Sequence, residues 1–230
     1  VHGQGTLYLT ELNSDVKSVK GKPVKIWQGG FKNAHELGGG FGMEGSHMYR
    51  INGKYYITCP AGGTGGWQIC LRSDNIYGPY EHKLIMNDWS SYPENGLHQG
   101  GMVQLKNGDW WFMIMQDRGP IGRVPCLVPV KWIDGWPMLG DEGKDLITYP
   151  KPATGKKSKI KSPATTDEFN ASQLGLQWQW NHNPDNSRWS LKERKGYMRL
   201  YASQASTLKD ARNTLTQRVL SLIHISEPTR

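Results

Sequence analysis

Glu44 is the carboxyl group whose surroundings best suit proton transfer. It lies at the end of a glycine-rich run, between Phe41 and Met43 on one side and a strand-like segment on the other. A carboxyl flanked by apolar side chains loses solvation, so its neutral, proton-donating form gains. The competing reading is a surface glutamate in a flexible turn. On residue chemistry alone that reading carries about twice the weight, since perturbed carboxylates are a minority. His98, in Leu97-His98-Gln99-Gly100-Gly101, reads either as a hydrogen-bonded histidine at a strand entry or as a metal ligand. No His, Asp or Glu stands at ligand spacing from it in the sequence. Cys59, Cys70 and Cys126 make an odd set without metal-type spacing; Cys59 and Cys70 read as a bridge or as buried thiols.

The elements that must position these groups are strands. Runs rich in Tyr, Trp, Ile and Val are broken every 8–12 residues by Asn-Gly, Asp-Gly or Gly-Pro turns. The hairpins MYRINGKYYIT (48–58) and MVQLKNGDWWFMI (102–114) are self-similar, with Asn52-Gly53 and Asn107-Gly108 offset by 55. Ser14-Asp15 recurs at Ser73-Asp74, an offset of 59. A period of 55–60 residues with about four short strands each matches a β-propeller blade. In that fold the innermost strands begin near the central axis. Glu44 and His98, 54 residues apart, are then expected one blade apart and facing the axis. A β-sandwich, which would scatter them, is the alternative. His35 and His47 are read as structural. Within Tyr55-Tyr56 and Trp110-Trp111, one ring of each pair is expected on each sheet face.

The pattern stops after Gly140. Residues 1–150 are therefore expected to be propeller, 151–162 a Lys-rich linker, and 163–219 a second all-β domain. Of the net charge of +8, five units belong to the five lysines of 151–162. This is a solvated segment rather than a basic stripe with interleaved stacking residues, so nucleic acid is not an expected partner. No run of apolar residues is long enough for a spanning helix, and no membrane partner is expected. The chain opens on VHGQGTLYLTEL, which reads as mid-strand and as lacking its start, so no compartment is assigned. Residues 220–230 (LSLIHISEPTR) resemble an in-frame translation of a sequencing-library adapter, with a genuine terminal strand as the alternative. His224 and Glu227 are accordingly not expected to belong to a functional site.

Three segments carry a family resemblance. EGSHMYRINGKYYITCPAGGT (44–64) is similar to a stretch of glycoside hydrolase family 43, the five-bladed propellers that include β-xylosidases and α-L-arabinofuranosidases. Ser46 stands where that family commonly has Pro. GPIGRVPCLVPVKWIDGWPMLG (119–140) resembles its last-blade signature. DEFNASQLGLQWQWNHNPDNSRWSL (167–191) resembles the start of the concanavalin-like C-terminal β-sandwich of the β-xylosidase branch. The resemblance implies Glu44 as general acid and Arg123 as a contact to the sugar. It places Thr64 near the substrate, and His98 near the axis beside a central cation, often calcium. Phe41 and Trp67, next to glycine-rich turns, are the candidates for lining the sugar pocket. Trp178 and Trp180 share a face and are expected in the second domain's core.

The resemblance further implies single-displacement (inverting) hydrolysis of xylo-oligosaccharide or arabinose-substituted hemicellulose. Such chemistry needs a second carboxylate as base, and the family adds a third that tunes the acid. Asp15, Asp74, Asp109 and Asp134 all read as outer-strand or turn residues, so the base is expected upstream of Val1 and this chain alone is expected to be inactive. A non-catalytic carbohydrate-binding propeller is the alternative.

Overall fold

The computed structural model describes residues 5–28, 43–62, 65–87, 95–144, 148–153, 159 and 164–219. The chain divides into two compact units, Val1–Gly155 and Lys156–Arg230. The first contains a two-stranded hairpin, β1 (Thr6–Leu12) and β2 (Val19–Gln28), and then two four-stranded antiparallel sheets. One sheet is β3 (His47–Ile51), β4 (Lys54–Ala61), β5 (Trp67–Ser73) and β6 (Glu81–Met86). The other is β7 (Leu97–Gln104), β8 (Trp110–Asp117), β9 (Arg123–Ile133) and β10 (Trp136–Leu139). In both, spatial order follows chain order, which is the meander of a propeller blade.

The two Asn-Gly pairs both turn hairpins, but differently. Asn52 and Gly53 take φ of 50° and 82° and make a two-residue turn between Ile51 and Lys54, the mirror-image type that matches strand twist. The second hairpin needs Leu105–Asp109, closed by the Leu105 N–H on the Asp109 carbonyl at 2.8 Å and the Gly108 N–H on the Leu105 carbonyl at 3.0 Å. The repeat therefore keeps its turn chemistry while changing loop length. Asp15, Asp74 and Asp134 stand at matching points, between β1 and β2, β5 and β6, and β9 and β10. The opening hairpin thus corresponds to the last two strands of a blade.

Alternation along the strands builds two cores on opposite faces of the β3–β6 sheet. Ile57, Cys59, Ala61, Ile69 and Leu71 join Leu7 and Met43 on one face. Tyr56, Cys70, Ile85 and Met86 meet Leu97, Met102, Phe112 and Ile114 on the other. The adjacent pairs behave as period two requires: Tyr56 packs in one core and Tyr55 against the other. Cys59 and Cys70 point to opposite faces as buried free thiols. Burial pushes the Cys59 thiol up to about 12, which keeps it un-ionised and unreactive at neutral pH.

Polar links lock the two full sheets in register. The Tyr49 hydroxyl accepts the Met102 N–H at 2.8 Å, and the Gln68 side-chain carbonyl accepts the Gln99 N–H at 2.8 Å. The Tyr56 hydroxyl donates to the Gly135 carbonyl at 3.1 Å. Arg72 donates to the Asp134 carbonyl at 2.9 Å while its guanidinium lies 4.1 Å from the Trp136 ring centre. The close approach depends on Gly101, where a Cβ would fall 2.8 Å from the Tyr49 hydroxyl; within its own sheet, a Cβ on Gly100 would fall 1.8 Å from the Met113 carbonyl oxygen on β8.

In the second unit, β11 (Trp178–Trp180) pairs with β14 (Leu215–Gln217), and β12 (Trp189–Ser190) with β13 (Arg199–Leu200). Trp178 stacks on Phe169 at 5.6 Å and donates to Asp167 at 2.9 Å; Trp180 packs on Trp189 at 5.3 Å. Both tryptophans are only half-buried, and Leu191 is the one hydrophobic residue of this unit that is fully buried among the described residues.

Candidate active site

Contacts between the two full sheets also give the strands their direction. Gln99 meets Gln68 near the starts of β7 and β5, while Arg50, Ile51 and Asn52 share a cleft with Gln104 at the far ends of β3 and β7. The innermost strands β3 and β7 therefore run the same way, and the beginnings of both lie at one end of the sheets. Glu44, Trp67, His98 and Arg123 all belong to that end, since β5 starts at Trp67 and β9 at Arg123. Asp15, Asp74, Asp109 and Asp134 lie in turns at the opposite end, a strand length of about 20 Å away.

Glu44 sits on a tight turn three residues ahead of β3. Met43 and Gly45 on either side of it take φ of 66° and 56°, the left-handed region that a bulky residue such as methionine rarely enters. Met43 is held there by burial of its side chain and by its N–H on the Pro60 carbonyl at 2.7 Å. The Ser46 hydroxyl donates to the Met43 carbonyl at 2.8 Å, so the residue standing where proline is common closes the turn instead. This arrangement projects the Glu44 side chain outward, and Glu44 is exposed. The desolvation expected from Met43 is therefore not supplied by that side chain, which the turn directs into the core.

His98 is the second residue of β7 and is only 5% exposed. It occupies an innermost strand, but buried in the sheet rather than open to solvent. Its Nδ1 lies 3.1 Å from the Gly96 carbonyl, and its Nε2 lies 3.7 Å from Asp117 Oδ2. Asp117 closes β8 and faces Arg123 as its direct cross-strand partner; Arg123 Nε is 3.5 Å from Asp117 Oδ1. No His, Asp or Glu stands at ligand spacing from His98 in the sequence, yet the fold brings a carboxylate beside it. Strand pairing brings in a residue 19 positions on, a distance that sequence spacing does not reveal. Asp117 Oδ2 is buried without a hydrogen-bond partner among the described residues.

Trp67 is half-buried against the first core, its ring lying across Gly62, where an added Cβ would come within 2.5 Å. Phe41, Thr64 and His35 lie outside the described residues, as do residues 220–230. His47 is exposed and stacks on Tyr49, with ring centres 6.5 Å apart. Besides Asp117, sequence reading missed Gln99. It takes φ of 58° at a β-bulge, and its side chain lies where a Cβ on Gly45 would be, 2.8 Å from its Nε2. The two blades therefore touch directly beside Glu44. The mirror placement of Asp117 and Arg123 around the loop 118–122 is the one signal that could have exposed the first of these residues.

Comparison with known proteins agrees with this geometry. Residues 1–137 match the model of glycosyl hydrolases family 43, and residues 166–222 match the beta xylosidase C-terminal concanavalin A-like domain. A beta-xylosidase of Formosa agariphila is 36% identical over 80% of this chain and 38% of its own length. A non-reducing end alpha-L-arabinofuranosidase of Bacteroides ovatus is 35% identical over 70% and 33%. Among solved structures, a xylan beta-1,4-xylosidase of Bacillus halodurans superposes with a TM-score of 0.79 at 26% identity, over 95% of this chain and 44% of that one. A GH43B protein from a Bacteroides ovatus xyloglucan locus also scores 0.79, at 30% identity, over 95% and 43%. The chain therefore spans about two-fifths of the length of the relatives it matches. Its first unit is part of a five-bladed β-propeller and its second is concanavalin-like: the chain belongs to glycosyl hydrolases family 43.

Proposed function

We propose that the protein to which this chain belongs hydrolyses xylo-oligosaccharide or arabinose-substituted hemicellulose by single displacement, with Glu44 as general acid. The observation that carries this reading is the rigid turn that presents Glu44 at the entry of an innermost strand, at the same end as His98, Arg123 and Trp67. The relatives named beta-xylosidase and arabinofuranosidase supply the substrate class.

The chemistry asks two things of the protein. A protonated carboxyl must reach the glycosidic oxygen as the bond lengthens. A second, ionised carboxylate must draw a proton from water on the opposite face of the sugar, with the two groups roughly 6.5–9.5 Å apart. Glu44 fills the first role: anchored by Met43 and Ser46, it delivers a proton to the leaving oxygen while exposed to whatever occupies the mouth. Arg123, engaged at Nε by Asp117, turns the rest of its planar fork toward sugar hydroxyls. Phe41 and Thr64 join this reading through the resemblance, and Trp67 through its place at the same end. The base and the tuning carboxylate are not found among Asp15, Asp74, Asp109 and Asp134, which lie at the wrong end of the strands.

The proposed calcium ion fits the described residues poorly. Calcium takes six to eight oxygen ligands. Beside His98 the described residues offer one unpartnered carboxylate oxygen, on Asp117, and they contain no cluster of three His, Cys, Asp or Glu able to hold a metal. No step here is assigned to the ion.

Glu44→Gln in the full-length protein tests the reading. Loss of a general acid costs about 10²- to 10⁴-fold. That loss should appear on xylobiose and arabino-oligosaccharides and shrink on nitrophenyl glycosides, whose leaving groups need little protonation. Equal rates for variant and wild type on both substrates would remove Glu44 from the role. Sugar binding with no turnover by the wild type would favour the carbohydrate-binding alternative.

A further inference from the structure

We propose that Asp117 is a positioning residue of this site: it sets the guanidinium of Arg123 toward the sugar, with the buried imidazole of His98 packed behind it. The inference rests on the proposed glycosidase function and adds a residue to it. Three neighbouring strands bring the groups together. His98 on β7 pairs with Met115 on β8, and Asp117 stands two residues further along β8, so it shares the same sheet face. Asp117 then pairs directly with Arg123 on β9, which places the two side chains within reach across the strands.

The carboxylate does not hang on a loose loop. The Asn95 side chain donates to the Asp117 backbone carbonyl at 2.7 Å, and the Arg118 N–H closes the loop onto the Gly122 carbonyl at 2.9 Å. Exposure rises outward through the three side chains: 6% for His98, 18% for Asp117 and 65% for Arg123. An exposed ion pair of this kind would contribute little. This one differs, because its carboxylate is mostly buried and one oxygen has no hydrogen-bond partner among the described residues. A buried acceptor left in that state costs stability and calls for a reason. The separations of 3.5 and 3.7 Å suit contacts that tighten when substrate draws on Arg123, as catalytic hydrogen bonds commonly do on binding. An arginine whose Nε faces a carboxylate still has the end-on pair of its planar NH₂ groups free for another acceptor. Without Asp117 the guanidinium would swing through its rotamers.

The test is a double-mutant cycle in the full-length protein. Asp117→Asn preserves shape and removes the charge. It should lower kcat/KM on xylobiose about 10- to 100-fold, the scale of an ångström-sized misplacement, and leave the melting temperature within about 2 °C. In an Arg123→Ala background the same substitution should add less than twofold, because its effect runs through Arg123. A full-sized loss in that background overturns the inference, as does an unchanged rate in Asp117→Asn. If Asp117→Asn fails to fold, Asp117→Glu, which keeps the charge at a different reach, enters the same cycle and is judged by the same coupling. An active wild type that loses rate in Glu44→Gln but not in Asp117→Asn would sink this inference and leave the proposed function standing. A wild type without turnover would sink the function. Asp117 would then be judged by xylobiose affinity: weakening by Asp117→Asn to the level of Arg123→Ala supports the assignment, and unchanged binding overturns it.

Discussion

Single residues at the blade junction carry more than their size suggests. Tyr49 illustrates this: its hydroxyl accepts the Met102 N–H from the next blade and occupies the space that Gly101 leaves open. Tyr49→Phe keeps the ring but strands that N–H. The expected cost is about 1–3 kcal/mol, measured as a fall in the urea midpoint of the full-length protein; no shift would mean that water replaces the bond freely. The same scale shows what the sequence hid. Glu44 was singled out by the resemblance of 44–64, whereas its local pattern alone favoured a surface glutamate in a turn, and it is indeed exposed. What the pattern did not show is that Met43 adopts a left-handed backbone and buries its own side chain. Asp117 was invisible for a different reason. Followed by Arg-Gly-Pro, it reads as a turn residue, and only the pairing of β8 with both β7 and β9 gives it His98 and Arg123 as neighbours.

At the level of the strand the reading succeeded where periodicity is strict. The two hairpins, their Asn-Gly turns and the sorting of Tyr55 and Tyr56 onto opposite faces all follow from alternation and turn chemistry. The bulge at Gln99 did not, since a bulge leaves no mark on the period until its partner strand is known. Strand packing also sets a pH dependence. His82 on β6 is an exposed residue whose ring centre lies 5.2 Å from that of Trp27 on β2, and this partial burial lowers its pKa from the ordinary value. The unfolded chain then binds this proton more readily than the folded one, so stability is full above about 6.5 and falls as pH drops from there toward the lowered value. His82→Gln should flatten that part of the curve. Urea midpoints at pH 8 and pH 5.5 check it: the difference between the two should be smaller in the variant, and an equal difference would assign the slope elsewhere.

For the molecule as a whole, the repeat period and the three resembling segments were enough to reach the propeller and the sandwich. They could not supply the second carboxylate that the proposed chemistry needs. The 230-residue chain on its own is accordingly expected not to turn over nitrophenyl xyloside or arabinofuranoside, whereas the full-length protein should. Measurable hydrolysis by the purified chain would show that its own carboxylates suffice, and Asp117 would be the first to examine. The second unit has little core of its own, for its tryptophans are half-buried and Leu191 is its one buried hydrophobic residue among those described.

The meander order of each blade has a consequence for biosynthesis. Within each four-stranded sheet, every strand after the first pairs with the one made just before it, so a sheet can zip up as it leaves the ribosome without waiting for distant partners. Sheet formation and sheet docking then become separate events in time. The Glu44 turn and its strand would be complete before β7 exists, and the arrival of Gln99 and Met102 against Gln68 and Tyr49 would be the moment at which Glu44, His98 and Arg123 first come to one end of two packed sheets.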